Sequence, residues 1–366
     1  MTKPYIILGV VICTIILIMP VGSYAGKDTV KYRKHVVMDR QGLGIEAFRL
    51  LIPEGWHFQG GLNWLSNSLQ LTQIAFKVSS PDNSAWFEVF PEMLFFYSTD
   101  PNANAFYGQT RPVHYPVNAV VYLEQLFLPG FRANMPGIHV TKRKQLPELA
   151  QNAMMNYRHQ QTHNPYLAQL TMGTSFQFDA ASVTMEYQQR NHTIEETICA
   201  VVGYTQAGMI NNWGPMRQTS LCSLKEIKNK MSPILCIISN SFRVNPLWEY
   251  KISQLYYAMT QQQKQMLRSI GEVSRYISRT NDQISDSLYQ SYKQRDAIYD
   301  RVSNNWSDAI RSVDTYQDPI NGVEVEVPNT YEKAWTDGNE YIFTNDRFFD
   351  PNQNAGPNWT PLERRP

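Results

Sequence analysis

The chain of 366 residues is long enough for one large domain or two modest ones, and its 43% hydrophobic residues permit a packed core and argue against disorder as the main state. Lysine and arginine total 33 against 32 aspartate and glutamate residues. This balance argues against a nucleic-acid partner, because affinity for a phosphate backbone depends on a basic surface.

The first 25 residues have the pattern of a secretory signal peptide. Lys3 supplies a positive charge, residues 5–19 are almost wholly apolar, and Ser23 and Ala25 place small residues at the two positions that signal peptidase inspects. We predict cleavage between Ala25 and Gly26, which gives a secreted or periplasmic protein. The alternative is an uncleaved anchor, although this apolar run is shorter than the roughly 20 residues of a typical span. No second long apolar run follows, so no stable membrane span is expected after cleavage.

Residues 40–245 alternate short apolar runs with turns. Strands are predicted at 47–52, 73–79, 86–90, 182–188, 197–204 and 219–224. Helices are predicted at 117–128, 145–160 and 234–239, the first of them stopped by Pro129-Gly130. The strands at 182–188 and 197–204 should pair through a turn at 190–192. We therefore predict an α+β domain, an antiparallel sheet with helices packed on it.

One short motif in this domain resembles a known family. Residues 48–56 read Phe-Arg-Leu-Leu-Ile-Pro-Glu-Gly-Trp, and Ala-Phe-Lys-Val at 75–78 and a Pro-Asp turn at 81–82 follow. This opening resembles the Mog1/PsbP-like family, in which a strand ends in Pro-x-Gly-Trp. The resemblance covers the first two thirds of the chain, and the insertion between Asp100 and Thr174 departs from compact members. The family consists of small accessory or binding domains without shared catalytic residues, so the resemblance implies a fold and no site.

A long amphipathic helix is predicted over residues 246–317. Asn245 suits the N-cap and Pro246 the first helical position, and helical composition continues with Gly271 as its interruption. The apolar residues keep the three-and-four spacing of a coiled coil, with a four-residue stutter after Ile284. These stripe residues are Met266, Ile270, Val273, Ile277, Ile284, Leu288, Tyr292, Tyr299, Val302 and Trp306.

The stripe predicts an interaction helix, because a helix this long cannot bury its apolar face alone. We expect it to bind a protein partner or to form a homo-oligomer. The alternatives are a hairpin that turns back at Gly271 and packing of the helix on the sheet domain.

Residues 318–366 predict a β-hairpin followed by an irregular tail. Valines alternate with glutamates over 323–327, and Tyr-Ile-Phe at 341–343 gives a second strand. We expect these strands to pair, with Tyr331 and Trp335 packed between them.

Three cysteines lie beyond the predicted cleavage site, so an exported protein could form one disulfide and keep one thiol. Cys222 and Cys236 would close a loop of 15 residues, worth about 3 kcal/mol. Cys199 is the alternative partner and otherwise a small buried hydrophobe. The sequence has no Cys-x-x-Cys pair, which argues against a zinc ribbon and a thioredoxin-type site.

The sequence lacks the motifs of the most easily recognised enzymes: a serine nucleophile elbow, a phosphate loop, a dinucleotide glycine motif and a His-Glu-x-x-His helix. His159 and His163 are four residues apart but lack further ligands, so we predict a surface pair, no metal site and no cofactor. The adjacent Glu195 and Glu196 should point to opposite faces of a strand and cannot act together as acid and base.

Clusters of aromatic residues at 56–64 and 86–97 favour a sheet core, with a sugar-stacking surface as the alternative. Together these features predict an exported, non-enzymatic binding or scaffold protein that docks partners through its long helix. The alternative is a cell-envelope hydrolase or carbohydrate-binding protein whose site residues are distant in sequence. A ligand cavity between sheet and helix is a third possibility.

Overall fold

The computed structural model describes residues 29–65, 70–109, 112–189, 191–260, 313–353 and 358–365. In chain order its strands are β1 (Val30–Met38), β2 (Glu46–Pro53), β3 (His57–Trp64), β4 (Thr72–Ser79), β5 (Ala85–Phe90), β6 (Phe95–Ser98), β7 (His139–Gln145), β8 (Ser175–Gln189), β9 (His192–Ala207), β10 (Ile210–Leu224), β11 (Arg243–Val244), β12 (Val313–Gln317), β13 (Glu324–Pro328), β14 (Lys333–Thr336), β15 (Glu340–Thr344), β16 (Thr360–Pro361) and β17 (Glu363–Arg364). Its α-helices are α1 (Pro101–Tyr107), α2 (Ala119–Tyr122), α3 (Leu128–Phe131), α4 (Pro147–His163), α5 (Pro165–Leu170), α6 (Lys228–Asn240) and α7 (Pro246–Thr260).

Three antiparallel sheets organise these strands. The central sheet has the order β3-β4-β5-β10-β9-β8-β7, and β6 also pairs with β10. The side sheet has the order β11-β2-β1-β15-β14-β16, and a small sheet joins β13, β12 and β17. The predicted α+β class, an antiparallel sheet with packed helices, is confirmed.

Two hydrophobic cores lie on the two faces of the central sheet. The large core joins one face to the side sheet, the small sheet and helices α4, α6 and α7. The small core lies on the other face, beneath a continuous helical run made of α2, a π-turn at Leu123–Phe127 and α3. Because side chains alternate along a strand, β5, β8, β9 and β10 contribute to both cores.

Most predicted strands and helices of residues 40–245 are present. Residues 182–188 and 197–204 lie within the paired strands β8 and β9 as predicted. The helix predicted to stop at Pro129-Gly130 instead continues to Phe131. The folded body also begins before residue 40, since β1 lies between β2 and β15 in the side sheet.

The predicted long helix is confirmed only at its start. The Leu247 amide donates to Asn245 Oδ1 at 3.0 Å, so Asn245 caps α7 as predicted. From Trp248 to Tyr256 every residue of α7 is buried, so this part is a core helix rather than an exposed amphipathic one. Residues 313–317, predicted as the end of the helix, form β12. The ten stripe residues lie outside the described residues.

The predicted tail hairpin is confirmed in part. A hairpin is present, but it joins β14 to β15, with Lys333 opposite Thr344. The predicted strand at 323–327 corresponds to β13, which pairs with β12 in the small sheet. Tyr341 and Phe343 instead lie in β15, which pairs with β1 as well. The error arose because alternation identifies a strand but not its partner.

Cys199, Cys222 and Cys236, the cysteines among the described residues, are free thiols, so the predicted Cys222–Cys236 disulfide is not formed. Cys222 faces the small core from β10, whereas Cys236 and Cys199 belong to the large core on the opposite face. No helix in the described ranges is long and apolar enough to cross a membrane.

Candidate functional site

The small core contains a buried group of ionisable and polar side chains, which we call the ionic cluster. Its members are Glu88, Arg132, Tyr187, Glu196, Ser220 and Cys222. Glu196 is completely inaccessible to solvent, and Arg132 is 7% exposed. Two buried charges of opposite sign require close pairing and additional hydrogen bonds, because burial removes their hydration.

Arg132 joins two carboxylates. Its Nη2 lies 2.7 Å from Glu196 Oε1, and its Nε donates to Glu196 Oε2 at 3.1 Å, which makes the pair bidentate. The same Nη2 donates to Glu88 Oε2 at 2.9 Å. The guanidinium also lies 4.8 Å from the centre of the Phe90 ring. Arg132 is thus held by charge, by hydrogen bonds and by an aromatic face.

The remaining members complete the hydrogen bonding of Glu196. The Tyr187 hydroxyl donates to Oε2 at 3.1 Å, and the Ser220 hydroxyl donates to Oε1 at 2.5 Å. Tyr187 Oη is also 3.7 Å from Cys222 Sγ. A carboxylate with this many donors around it has little capacity left to bind a substrate or to accept another proton donor.

Strand register explains how these residues meet. Cys222 lies opposite both Glu196 on β9 and Trp86 on β5, and Glu88 lies opposite Ser220. Arg132 follows the last helical residue, and its own amide donates to Leu128 O at 2.9 Å. A cation at a helix C-terminus is favourable. The cluster therefore fixes the end of the helical run 119–131 to the central sheet.

The electrostatics of the cluster oppose catalysis. Burial raises the pKa of the Cys222 thiol well above its ordinary value, so it is not a thiolate nucleophile at neutral pH. Burial and the Glu196 charge likewise raise the pKa of Tyr187. Burial alone would lower the pKa of Arg132, but its bonds to Glu196 and Glu88 raise it. The cluster thus keeps Cys222 as a neutral thiol, Tyr187 as a neutral phenol and Arg132 as a cation.

Glu88 and Glu196 do not support the alternative prediction that the protein is a cell-envelope hydrolase. A glycosidase needs two carboxyl groups free to flank a bond, commonly about 5 to 9 Å apart. Glu88 and Glu196 are instead both bound to one guanidinium. Trp86, which lies opposite Cys222 in the strand register, is only 5% exposed. It packs in the small core and does not form a surface on which a sugar could stack.

Glu195 and Glu196 behave as predicted for adjacent strand residues. Glu196 points into the small core, and Glu195 forms an ion pair with Lys228 at the start of α6, on the other face. The predicted histidine pair lies along α4, where the rings of His159 and His163 stack with centroids 4.2 Å apart. Within the described ranges, no three His, Cys, Asp or Glu side chains are grouped to hold a metal.

Asp39 is a second buried carboxylate that the sequence analysis missed. It is 1% exposed and accepts from the indole nitrogens of Trp64 at 2.7 Å and Trp248 at 2.9 Å. The amides of Gly42 and Leu43 donate to the same carboxylate at 2.8 and 3.1 Å. Asp39 thereby ties the β1–β2 loop, β3 and α7 together. No local sequence signal identifies it, since Trp248 is 209 residues away.

Glu92 is a third unusual carboxyl group. Gln70 Nε2 donates to Glu92 Oε2 at 2.9 Å, and the positive charge of Arg217 favours the ionised carboxylate. Both interactions lower the pKa of Glu92. Burial nevertheless dominates and raises the pKa of Glu92 to about 8, against an ordinary value of 4.5. Burial raises the pKa of the Tyr256 phenol, and the nearby Glu92 charge raises it further.

Glu92 should make the protein lose stability as the pH rises. The unfolded chain releases the Glu92 proton near pH 4.5, whereas the folded protein retains it to about pH 8. The contribution of Glu92 to the free energy of unfolding is therefore fully present at acidic pH. It falls as the pH rises through this window, by about 2 kcal/mol between pH 6 and 8. Urea denaturation should show that Glu92→Gln abolishes this part of the decline. Glu54→Gln, at an exposed turn, should keep the wild-type profile, and equal declines in all three proteins would refute the prediction.

Comparison with known proteins gives similarity to solved structures only. No family model matches the chain, and no curated protein matches it. Cyanobacterial PsbP (CyanoP) from Synechocystis sp. PCC 6803 has 8% identity and a TM-score of 0.26, over 62% of this chain and 100% of that chain. PA94, a protein of unknown function from Pseudomonas aeruginosa, has 10% identity and a TM-score of 0.20, over 58% and 99%. LpqN, involved in cell envelope biogenesis of Mycobacterium tuberculosis, has 11% identity and a TM-score of 0.21, over 59% and 92%.

One of these structures is a PsbP protein, in keeping with the resemblance to the Mog1/PsbP-like family that the sequence predicts. Fold similarity does not define a function. The matches therefore assign no activity, substrate or partner to this chain.

Proposed function

We propose that the chain is an exported, non-catalytic protein that binds other protein surfaces through the apolar stripe of its residues 261–312. It assembles with further copies or with a partner protein of the cell envelope. The predicted signal peptide supports export, and the three-and-four spacing of the stripe residues supports binding to another apolar surface.

The main observation behind the proposal is that the residues directly before and after segment 261–312 are buried in the large core. Trp248, Ile252, Leu255 and Tyr256 of α7 are buried there before the segment, and Tyr316 of β12 is buried there after it. The described residues on both sides of the segment are therefore anchored in the same core.

The state of the ionic cluster supports the non-catalytic part. Its acid, base and thiol groups bond to one another and fix a helix to the sheet. A protein that binds rather than transforms its partner needs such a rigid body and no reactive group.

Paired substitutions test the proposal on residues 26–366. Ile277→Glu with Ile284→Glu places two charges on the stripe, and we expect light scattering after size exclusion to give a lower mass than for the wild type. Ser278→Glu with Ser285→Glu places the same charges one residue away and should keep the wild-type mass. A chain truncated at Asn245 is unsuitable, because it would remove α7 and the tail strands from the core.

A wild-type protein that stays monomeric contradicts assembly between copies. Envelope extracts then test the partner protein: a component retained by the wild type and the serine variant, and lost with the isoleucine variant, supports docking. Equal capture by all three proteins, or no capture, contradicts the proposal.

A further inference from the structure

Strand β7 is an end strand of the central sheet. Among the described strands it pairs with β8 alone, so one of its two backbone edges has no partner strand. Every residue from Thr141 to Gln145 is exposed. A bulge between Val140 and Lys142 interrupts the register, and regular pairing with β8 runs from Lys142 to Gln145. An edge of this kind offers backbone groups onto which an extended peptide can add as a further strand.

The register shows which backbone groups face away from β8. The Leu146 amide, directly after β7, donates to a β8 carbonyl at 2.8 Å. Hydrogen-bonded and non-bonded pairs alternate along an antiparallel ladder, so Lys144 and Lys142 exchange bonds with β8. Arg143 and Gln145 lie in the non-bonded positions, and their N–H and C=O groups point outward. This edge therefore offers two donors and two acceptors to an added strand.

Positive charge is concentrated along this edge. Residues 125–147 contain four lysines and arginines but no aspartate or glutamate. Arg143 forms an ion pair with Glu124 on the neighbouring helical run. Among the described residues, neither Lys142 nor Lys144 forms an ion pair. The two lysines therefore present positive charge that no carboxylate of the described chain neutralises.

Both lysines lie on the same face of the sheet. Lys142 is opposite Thr184 on β8, and Lys144 is opposite Ser182. Val183, between these two β8 residues, is buried in the small core, so the lysines lie on the other face. In a new ladder they would occupy non-bonded positions, where opposite Cα atoms are only about 4.5 Å apart. Two carboxylates at alternate positions of an added strand would lie directly opposite them.

We propose that β7 binds an extended, acidic segment of a partner protein, which adds as an antiparallel strand along Lys142–Gln145. Carboxylates two residues apart on that segment face Lys142 and Lys144. The outward backbone groups of Arg143 and Gln145 complete the pairing. The bond pattern gives affinity for an extended chain, and the charge gives the preference for an acidic one.

Charge excludes a second copy of β7 as the occupant. Antiparallel pairing of two copies would place Lys142 of one opposite Lys144 of the other, and like charges directly opposite are destabilising. Lysines on an edge strand commonly prevent such pairing between copies. A phosphate group could bind the two ammonium groups, but it would leave the outward carbonyls of Arg143 and Gln145 unused. An acidic polypeptide satisfies both features.

A labelled peptide tests the charge on residues 26–366. The probe has nine residues, with glutamate at three alternate positions among threonine and valine, and fluorescence anisotropy gives its Kd. Lys142→Gln with Lys144→Gln should raise the Kd about tenfold. Arg33→Gln with Arg40→Gln removes the same charge from exposed positions on and after β1. This control should change the Kd less than about twofold.

Gln145→Pro tests the backbone without changing the charge. Proline removes the outward N–H at this position and keeps the bonds to β8, so the Kd should rise at least about threefold. Infrared spectra of the peptide with 13C-labelled carbonyls should show a β-sheet band in complex with the wild type. Ile277→Glu with Ile284→Glu should bind the peptide as the wild type does, because the stripe takes no part.

Each contrary result overturns the inference and leaves the proposed function standing. Failure of the wild type to bind at millimolar peptide concentration is one, and unchanged affinity of the lysine variant is another. Equal binding of a peptide with its three glutamates adjacent, or of the wild type and Gln145→Pro, would show a simple anion site instead. Urea unfolding of each variant confirms that these exposed substitutions leave the fold intact.

Discussion

Replacing Glu196 with glutamine should lower the free energy of unfolding by about 4 kcal/mol. The substitution keeps the shape of the side chain but leaves the buried Arg132 guanidinium facing an amide. Removing one partner of a buried ion pair strands the other charge, which costs more than the net value of the pair. Urea denaturation followed by circular dichroism measures the change.

The matched control is Glu88→Gln. Glu88 binds the same Arg132 nitrogen, but its side chain is 25% exposed, so water can replace part of the interaction. We expect a loss of about 1 kcal/mol or less. Faster hydrogen exchange at residues 119–131 should accompany Glu196→Gln, because the cluster holds that helical run. Similar losses for the two variants would contradict the assigned role of Glu196.

Asp39→Ala should cost about 4 kcal/mol, the second large effect that the structure predicts. The substitution removes the acceptor of four hydrogen bonds and leaves the buried indole of Trp248 unpaired. An orphaned buried donor costs about 1 to 3 kcal/mol. Because Trp248 lies at the start of α7, Asp39→Ala should also destabilise α7, the helix that directly precedes segment 261–312.

Asp39→Asn provides the graded comparison. It keeps one acceptor oxygen and replaces the other with a donor, so the loss should be about half that of alanine. Urea unfolding monitored by tryptophan fluorescence measures both variants, because two of the four donors are indoles. A loss below about 1 kcal/mol for Asp39→Ala would refute the anchoring role.

The strands of the central sheet could be predicted from sequence because their signal is local. Val183, Met185 and Tyr187 alternate along β8, and all three are buried in the small core. The start of α7 was equally predictable, since an asparagine cap and a following proline act within one turn. Such patterns depend on neighbours along the chain and need no knowledge of the fold.

The polar sites could not be predicted for the opposite reason. Arg132 and Glu196 are 64 residues apart, and neither residue is unusual in its own segment. Only the register of β9 and β10 and the position of the helical run bring them together. Pairing between distant strands misled the tail prediction as well, because β13 and β15 have similar alternation but lie in different sheets.

The far end of the predicted long helix shows how two patterns can overlap. Val313 keeps the three-and-four spacing of the stripe, which extended the predicted helix to residue 317. Residues 313–317 in fact pair with β13, where Tyr316 lies opposite Val325. A valine and a tyrosine fit a strand as well as a helix, and the available partner strand decided between them.

The central claim is that the stripe of residues 261–312 binds protein. Hydrogen exchange of residues 26–366, measured by mass spectrometry over a wide range of protein concentration, tests it most directly. Assembly predicts that peptides from this segment become more slowly exchanging as the concentration rises, and that Ile277→Glu with Ile284→Glu abolishes the effect. Exchange in the segment that is independent of concentration, in the presence of an envelope extract as well as in pure protein, would contradict the claim.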